Sequence, residues 1–213
     1  MSAHDASHMP KRLVLILLLS AGCAVGRPSG RAQAPRQFFA TVETTRGSFV
    51  LEIDRDWAPH GADRFYELAR SGYFDDSRFF RVVPNFIVQF GIGRDSATTA
   101  TWMGAMIPDD SVTHSNVFGT IAFAMRGPND RTTQLFISVT DNSRVDAQGF
   151  APIGRVVEGM DVVTSIYSGY GETSGGGVRA GKQAPLIAGG NAYLDREFPK
   201  LDKLLRVRLS DRR

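Results

Sequence analysis

Most of the side chains able to do chemistry are arranged so that the common reactions are excluded. The four histidines, His4, His8, His60 and His114, show no metal-ligand spacing. A single cysteine, Cys23, rules out a disulfide framework within the chain and every multi-cysteine zinc or iron–sulfur site. There is no phosphate-binding loop, and Gly91-Ile92-Gly93 lacks the further glycine and helix of a dinucleotide fingerprint. Asp109-Asp110, following Pro108, reads as the start of a turn rather than a cation site. No serine sits in a nucleophile elbow. These residues call for neither metal nor cofactor. What remains is Arg81, inside Arg78-Phe79-Phe80-Arg81-Val82-Val83-Pro84-Asn85-Phe86-Ile87-Val88-Gln89. An arginine amid apolar residues in mid-strand is costly unless it is used or faces solvent. Base rates alone favour the solvent-facing reading.

The elements that would hold it are mostly strands. Phe39 to Thr45 and Ser48 to Ile53 alternate around Arg46-Gly47 and read as a hairpin. Ala62, Phe65, Leu68 and Ala69 repeat at three and four, which predicts a helix beginning near Pro59 and stopped by Ser71-Gly72. Strand-like runs follow at 78–83, 86–91, 119–125, 134–139, 153–156 and 204–209, with a second helix over 158–165. The Pro84-Asn85 turn joins the first two of these runs. Seven or eight strands with two helices point to a barrel or sandwich. The Gly- and Ser-rich stretch 169–190 reads as one long flexible loop.

The 213 residues are 42% hydrophobic, too apolar for a disordered chain, and suit one domain with a tail. The net charge of +3 comes from the start of the chain. Of 25 basic and 22 acidic residues, Lys11, Arg12, Arg27, Arg31, Arg36 and Asp5 precede residue 37, leaving 20 against 21 beyond it. The folded part therefore carries no basic nucleic-acid footprint. Lys11-Arg12 followed by the apolar run from Leu13 fits a secretory leader, too short for a spanning helix of about 20 residues. Leu19-Ser20-Ala21-Gly22-Cys23 is similar to a lipoprotein box in which Cys23 would be lipidated. Ordinary cleavage near Ala24 would discard that cysteine instead. The expected organisation is a leader over 1–24, a flexible tether over 25–37 and one domain over 38–213.

Two segments carry a family resemblance. Arg81-Val82-Val83-Pro84-Asn85-Phe86-Ile87-Val88-Gln89 is one; Ala124-Met125-Arg126-Gly127-Pro128-Asn129 with Gln134-Leu135-Phe136-Ile137 is the other. Both resemble signatures of the cyclophilin-type peptidyl-prolyl cis–trans isomerases, and Gly154 to Val163 is similar to the strand and helix that follow. The resemblance covers roughly Phe39 to Leu209. It implies a mainly β fold, a closed eight-stranded antiparallel barrel capped by two helices, which agrees with the strand count.

It also implies an isomerase of X–Pro bonds needing no cofactor and no metal. Arg81, Phe86 and Gln89 would be catalytic, with Arg81 stabilising the twisted amide. Ile87, Ala124, Met125, Gln134, Phe136 and Phe150 would bind the peptide. The alternative is a non-catalytic chaperone or scaffold that holds proline segments. Partners would be proline-containing polypeptides, with no nucleic acid and no membrane contact beyond a lipid at Cys23. The protein would be an extracytoplasmic monomer in the periplasm or cell envelope. Several positions depart from better-known members: Phe80 replaces a frequent His, Ile87 a Met, Met125 an Asn and Phe150 a His, while Arg144 stands near a missing Trp. Weak binding of cyclosporin-like inhibitors is the expected consequence.

Overall fold

Strands β1 (Gln37–Thr44) and β2 (Gly47–Asp54) form the expected hairpin, with Thr44 opposite Gly47 and Phe39 opposite Glu52. The computed structural model describes residues 33–174 and 183–212. Gly47 closes the turn at φ +124°, a conformation that side chains other than glycine's resist. Phe38, Ala40, Val42, Phe49, Leu51 and Ile53 all point into the core, as period-2 alternation requires. Helix α1 (Pro59–Arg70) lays Ala62, Phe65, Leu68 and Ala69 on that core, with the Phe65 and Phe38 rings 6.3 Å apart. Of the segment expected as a tether, residues 33–37 are described. Ala34 is buried and its N–H donates to Asp63.

The remaining strands are β3 (Ser77–Arg78), β4 (Arg81–Val83), β5 (Ile87–Phe90), β6 (Thr120–Phe123), β7 (Leu135–Ser138), β8 (Pro152–Glu158) and β9 (Lys203–Ser210). All are joined antiparallel in one sheet of order β3-β9-β1-β2-β8-β6-β7-β5-β4. This corrects the expected closed eight-stranded barrel. Among the described residues there are nine strands, and no ladder joins the edge strands β3 and β4. Those edges are consecutive in the chain, separated only by Phe79-Phe80, so the sheet must curl until its two edges nearly meet.

The single strand expected over 78–83 is thus two strands with a break. Phe79 and Phe80, both fully buried, cause the split. Phe79 faces the main core, 5.7 Å from Phe90, while Phe80 faces a second cluster with Ile92, Leu186, Leu194 and Leu201. Adjacent residues pack two opposite sides of the seam.

That second cluster requires a helix the sequence did not suggest. Besides α1 and α3 (Met160–Ser165), there are α2 (Ser96–Met103) and α4 (Ala184–Glu197). Among the described residues four α-helices replace the two expected. Helix α4 covers the seam, and the loop expected over 169–190 is correspondingly shorter. It kinks at Gly190, at φ +52° and ψ −143°, where a Cβ would lie 2.5 Å from the Arg94 carbonyl oxygen. Helix α2 is short, rich in threonine and started by Asp95, whose carboxylate accepts from Thr98 N–H at 2.7 Å.

Candidate functional site

Strand register builds the site. Arg81 lies opposite Gln89, Gln89 opposite Phe136 and Phe136 opposite Ala122, so one row crosses β4, β5, β7 and β6. Residues two positions along share that face, which adds Ile87, Gln134 and Ala124. The alternate residues Val82, Val88, Phe90, Leu135, Ile137, Ile121 and Phe123 fill the main core behind it. Ile87, Ala122 and Phe136 form a separate buried patch, bordered by half-buried Phe86, Ala124 and Phe150. Phe86, Ile87 and Phe136 are therefore not part of the main core. They line a wall outside it.

Two loops complete the wall. The Pro84-Asn85 turn brings Phe86 up, with its N–H on the Val83 carbonyl at 3.1 Å. Asn85 takes φ +55°, which asparagine tolerates better than most residues. The Phe86 carbonyl accepts from Asn142 Nδ2 at 2.8 Å and from Val139 N at 3.0 Å. Those bonds dock the segment of the 3-10 helix Ser143–Gln148 that ends near Phe150. Asn116 Nδ2 donates to the Phe150 carbonyl at 2.7 Å, and the Phe150 ring meets Phe136 edge-on at 5.6 Å. Arg144, an exposed residue, sets its guanidinium 4.9 Å from the Phe86 centroid.

Arg81 stands at the edge of this apolar wall, its side chain 4% exposed. The solvent-facing reading is overturned. Its Nη1 donates to Gln89 Oε1 at 3.0 Å and its Nη2 to Glu172 Oε1 at 2.6 Å. The guanidinium carbon is 5.6 Å from the Phe86 ring centroid. Among the described residues no acceptor reaches its buried Nε. A guanidinium at the rim of an apolar slot suits a ligand that is apolar at one end and hydrogen-bonding at the other.

Gln89 passes the network on, donating from Nε2 to Gln134 Oε1 at 2.9 Å. Beyond this pair lies a groove of about 230 Å3, lined by Ala124, Met125, Gln134, Gln183, Met103 and Met106 among others. Met125 is half-buried, with its Cε close to Gly149. Arg81, Phe86, Ile87, Gln89, Ala124, Met125, Gln134, Phe136 and Phe150 are thus all brought to one face. Cys23 lies outside the described residues. Gly91 takes φ +101° with its Cα against the backbone of Thr133-Gln134, a close-approach role in place of a nucleotide site. Asp110 accepts from His60 N–H and Gly61 N–H and pairs with Arg131 at 3.1 Å. Sequence reading missed Glu172 and Gln183, which sit where Gly-rich composition gave no periodic signal.

The family model for cyclophilin type peptidyl-prolyl cis–trans isomerases matches residues 39–186. A peptidyl-prolyl cis–trans isomerase of Acinetobacter baylyi is 33% identical over 142 residues, covering 63% of this chain and 74% of that protein. Peptidyl-prolyl cis–trans isomerase A of Dickeya dadantii is 30% identical over 164 residues, 74% of this chain and 85% of that protein. A cyclophilin type isomerase from Cryptosporidium parvum superposes with TM-score 0.60 at 16% identity, covering 83% of this chain and 99% of its own. It shares the fold, and it has also been crystallised in the presence of the dipeptide Ala-Pro. The matched span contains the whole cross-strand row and both loops of the wall, and this chain belongs to the cyclophilin family of peptidyl-prolyl cis–trans isomerases.

Proposed function

We propose that Arg81 catalyses rotation about X–Pro bonds by binding the twisted amide more tightly than either planar form, with the proline ring held against Phe86, Ile87, Phe136 and Phe150. An X–Pro bond prefers trans by only about 0.5–1 kcal/mol, so both isomers are populated. Resonance sets a barrier of roughly 18–20 kcal/mol to their exchange. At mid-rotation resonance is lost and the prolyl nitrogen regains a lone pair. A fixed guanidinium donor beside it then gains a charge-assisted hydrogen bond that the planar amide does not offer. That is binding of the transition state in preference to the ground state.

Bringing tens of seconds to milliseconds takes about 10⁴-fold, or roughly 5–6 kcal/mol. One charge-assisted bond supplies about 1.5–3 kcal/mol of that. The remainder falls to the water-excluding wall and to fixed positioning of the peptide along Ala124, Met125 and Gln134. The observation that carries the reading is the buried Arg81 side chain, with an unspent Nε, standing over Phe86 at the edge of a separate apolar patch.

The leader composition supports an extracytoplasmic enzyme acting on unfolded or flexible envelope proteins. It is processed at residue 24 or anchored through a lipid on Cys23, and it works as a monomer. Mass spectrometry of the mature N-terminus separates the two ends. The mechanism is tested with a protease-coupled assay on a short Ala-Pro peptide, comparing wild type with Arg81→Ala. Turnover by wild type and its loss in the variant is the expected result. Equal turnover removes Arg81 from the mechanism. Peptide binding with no turnover in wild type makes the protein a holder of proline segments instead.

A further inference from the structure

The segment between α3 and α4 belongs to neither sequence motif, yet it sends a side chain to each end of the polar network. Glu172 receives Arg81 Nη2 at 2.6 Å. Gln183 exchanges amide bonds with Gln134, accepting from its Nε2 at 2.9 Å and donating to its Oε1 at 3.2 Å. With the Arg81–Gln89 and Gln89–Gln134 bonds, five side chains form one continuous chain from Glu172 to Gln183.

The Glu172 side chain is 43% exposed, but the backbone that carries it is anchored. Ser174 Oγ donates to the carbonyl of Phe80, the residue before Arg81, at 2.8 Å. Tyr167 N–H donates to Asp202 at 2.7 Å, and the Tyr170 ring is wedged between Tyr167 and Phe198, 5.2 Å from each. The backbone around Glu172 is thereby held against the seam of the sheet. The exposed pair Arg36–Asp56, by contrast, has side chains 85% and 56% accessible and no such scaffold.

The physics of a planar fork gives the pair its purpose. A guanidinium held by its own stem and by Gln89 at Nη1 can still swing about the line joining the two. A second bond at Nη2 fixes its plane, and with it the directions of the N–H groups that remain. The carboxylate also offsets the cost of keeping a cation out of water.

We propose that Glu172 is the positioning residue of Arg81: its carboxylate, braced by the 167–174 segment, locks the guanidinium plane in the orientation that meets the prolyl amide. This rests on the catalytic reading of Arg81. The test is a double-variant cycle in the full chain, with Ala-Pro peptide turnover as one readout. NMR of the Arg81 guanidinium, reporting rotation about its Cζ–Nη bonds, is the second.

Glu172→Ala is expected to lower kcat about tenfold with KM within twofold, since misplacing a reacting group costs rate while the apolar wall is untouched. Glu172→Gln keeps an acceptor and is expected to stay within about threefold of wild type. Rotation of the guanidinium is expected to quicken in Glu172→Ala and not in Glu172→Gln. In an Arg81→Ala background, Glu172→Ala is expected to add nothing. Glu172→Leu, of similar length without an acceptor, replaces Glu172→Ala if that variant does not fold.

Full activity in Glu172→Ala or Glu172→Leu, with Arg81→Ala impaired, overturns this inference and leaves the role of Arg81 standing. A loss that persists in the Arg81→Ala background also overturns it, because Glu172 then acts through loop structure alone. Full activity in Arg81→Ala removes the catalytic reading itself, and this inference with it.

Discussion

Arg78 and Arg81 stand three residues apart on the two facing edges of the sheet, and their side chains are 2% and 4% exposed. Arg78 spends every nitrogen. Its Nε and Nη2 both take Asp195 at 2.8 Å, and its Nη1 donates to the carboxylate and carbonyl of Asp76 and to the Ser77 carbonyl. Burial acts to lower its pKa, but the bonds to Asp195 and Asp76 outweigh that and hold it above the ordinary value. Arg81 has one carboxylate, one amide, an unspent Nε and an aromatic ring beside it. One arginine ties β3 to α4. The other stands beside an apolar patch with a donor that no described residue takes up. Burial of a cation therefore does not mark function; what separates the two is the number of donors already committed and what surrounds the rest.

Exchanging the two phenotypes would break this comparison. Arg81→Ala is expected to cut kcat/KM by about 10–150-fold, the worth of one charge-assisted bond, and also to lower stability by about 1–3 kcal/mol, because Glu172 can rehydrate but the buried Gln89 Oε1 loses its donor. Arg78→Ala is expected to affect stability alone. It should lower the free energy of unfolding by about 1–3 kcal/mol in urea titration, with kcat/KM within twofold wherever the protein is folded. The loss stays at the modest end for a buried arginine because Asp195 and Asp76 are 51% and 59% exposed and regain water.

The seam that carries Arg78's partner has its own weak point. Gly190→Ala places a Cβ against the Arg94 carbonyl at a positive φ, and is expected to cost about 1–3 kcal/mol by the same titration. On the other side of the comparison, Phe150→Ala removes the edge-on partner of Phe136. It is expected to raise KM about fivefold, equivalent to about 1 kcal/mol, with kcat less affected.

The smallest effect is in acid. The Arg78 hydrogen bonds, working against burial, hold the Asp195 carboxyl below its usual range. Its folded-state pKa is depressed, so the stability it contributes is complete above its unfolded value of about 3.9 and fades as pH falls through the folded one. Wild type is expected to lose more stability than Arg78→Ala between about pH 5 and pH 3, and parallel curves would assign acid sensitivity to other carboxylates.

The sequence showed the row of the site more clearly than its surroundings. Periodicity revealed the hairpin and α1 and set Arg81 on one face of its strand, while the family resemblance grouped Ile87, Gln89, Gln134 and Phe136 with it. Period 2 is a local property, fixed by which way successive Cβ atoms point. The split at Phe79-Phe80 was invisible because a run of alternating strand formers reads the same whether it pairs with one neighbour or changes neighbour midway. Helix α2 carries three threonines in eight residues, and α4 carries Gly189-Gly190, so neither displays a helix's composition. Glu172 and Gln183 gave no signal at all, since their partners lie 91 and 49 residues away.

By itself the chain's order of residues determined the family, through two motifs that each lie within a short stretch, and the hairpins, because those follow from backbone geometry over a few neighbours. The tertiary structure alone decided that the sheet stops short of closure, that a kinked helix seals its seam, and that, of the two arginines at its edges, Arg78 spends every nitrogen while Arg81 does not. Each of these depends on which distant groups arrive to compete for the same hydrogen bonds and the same buried space, and no local pattern records that competition.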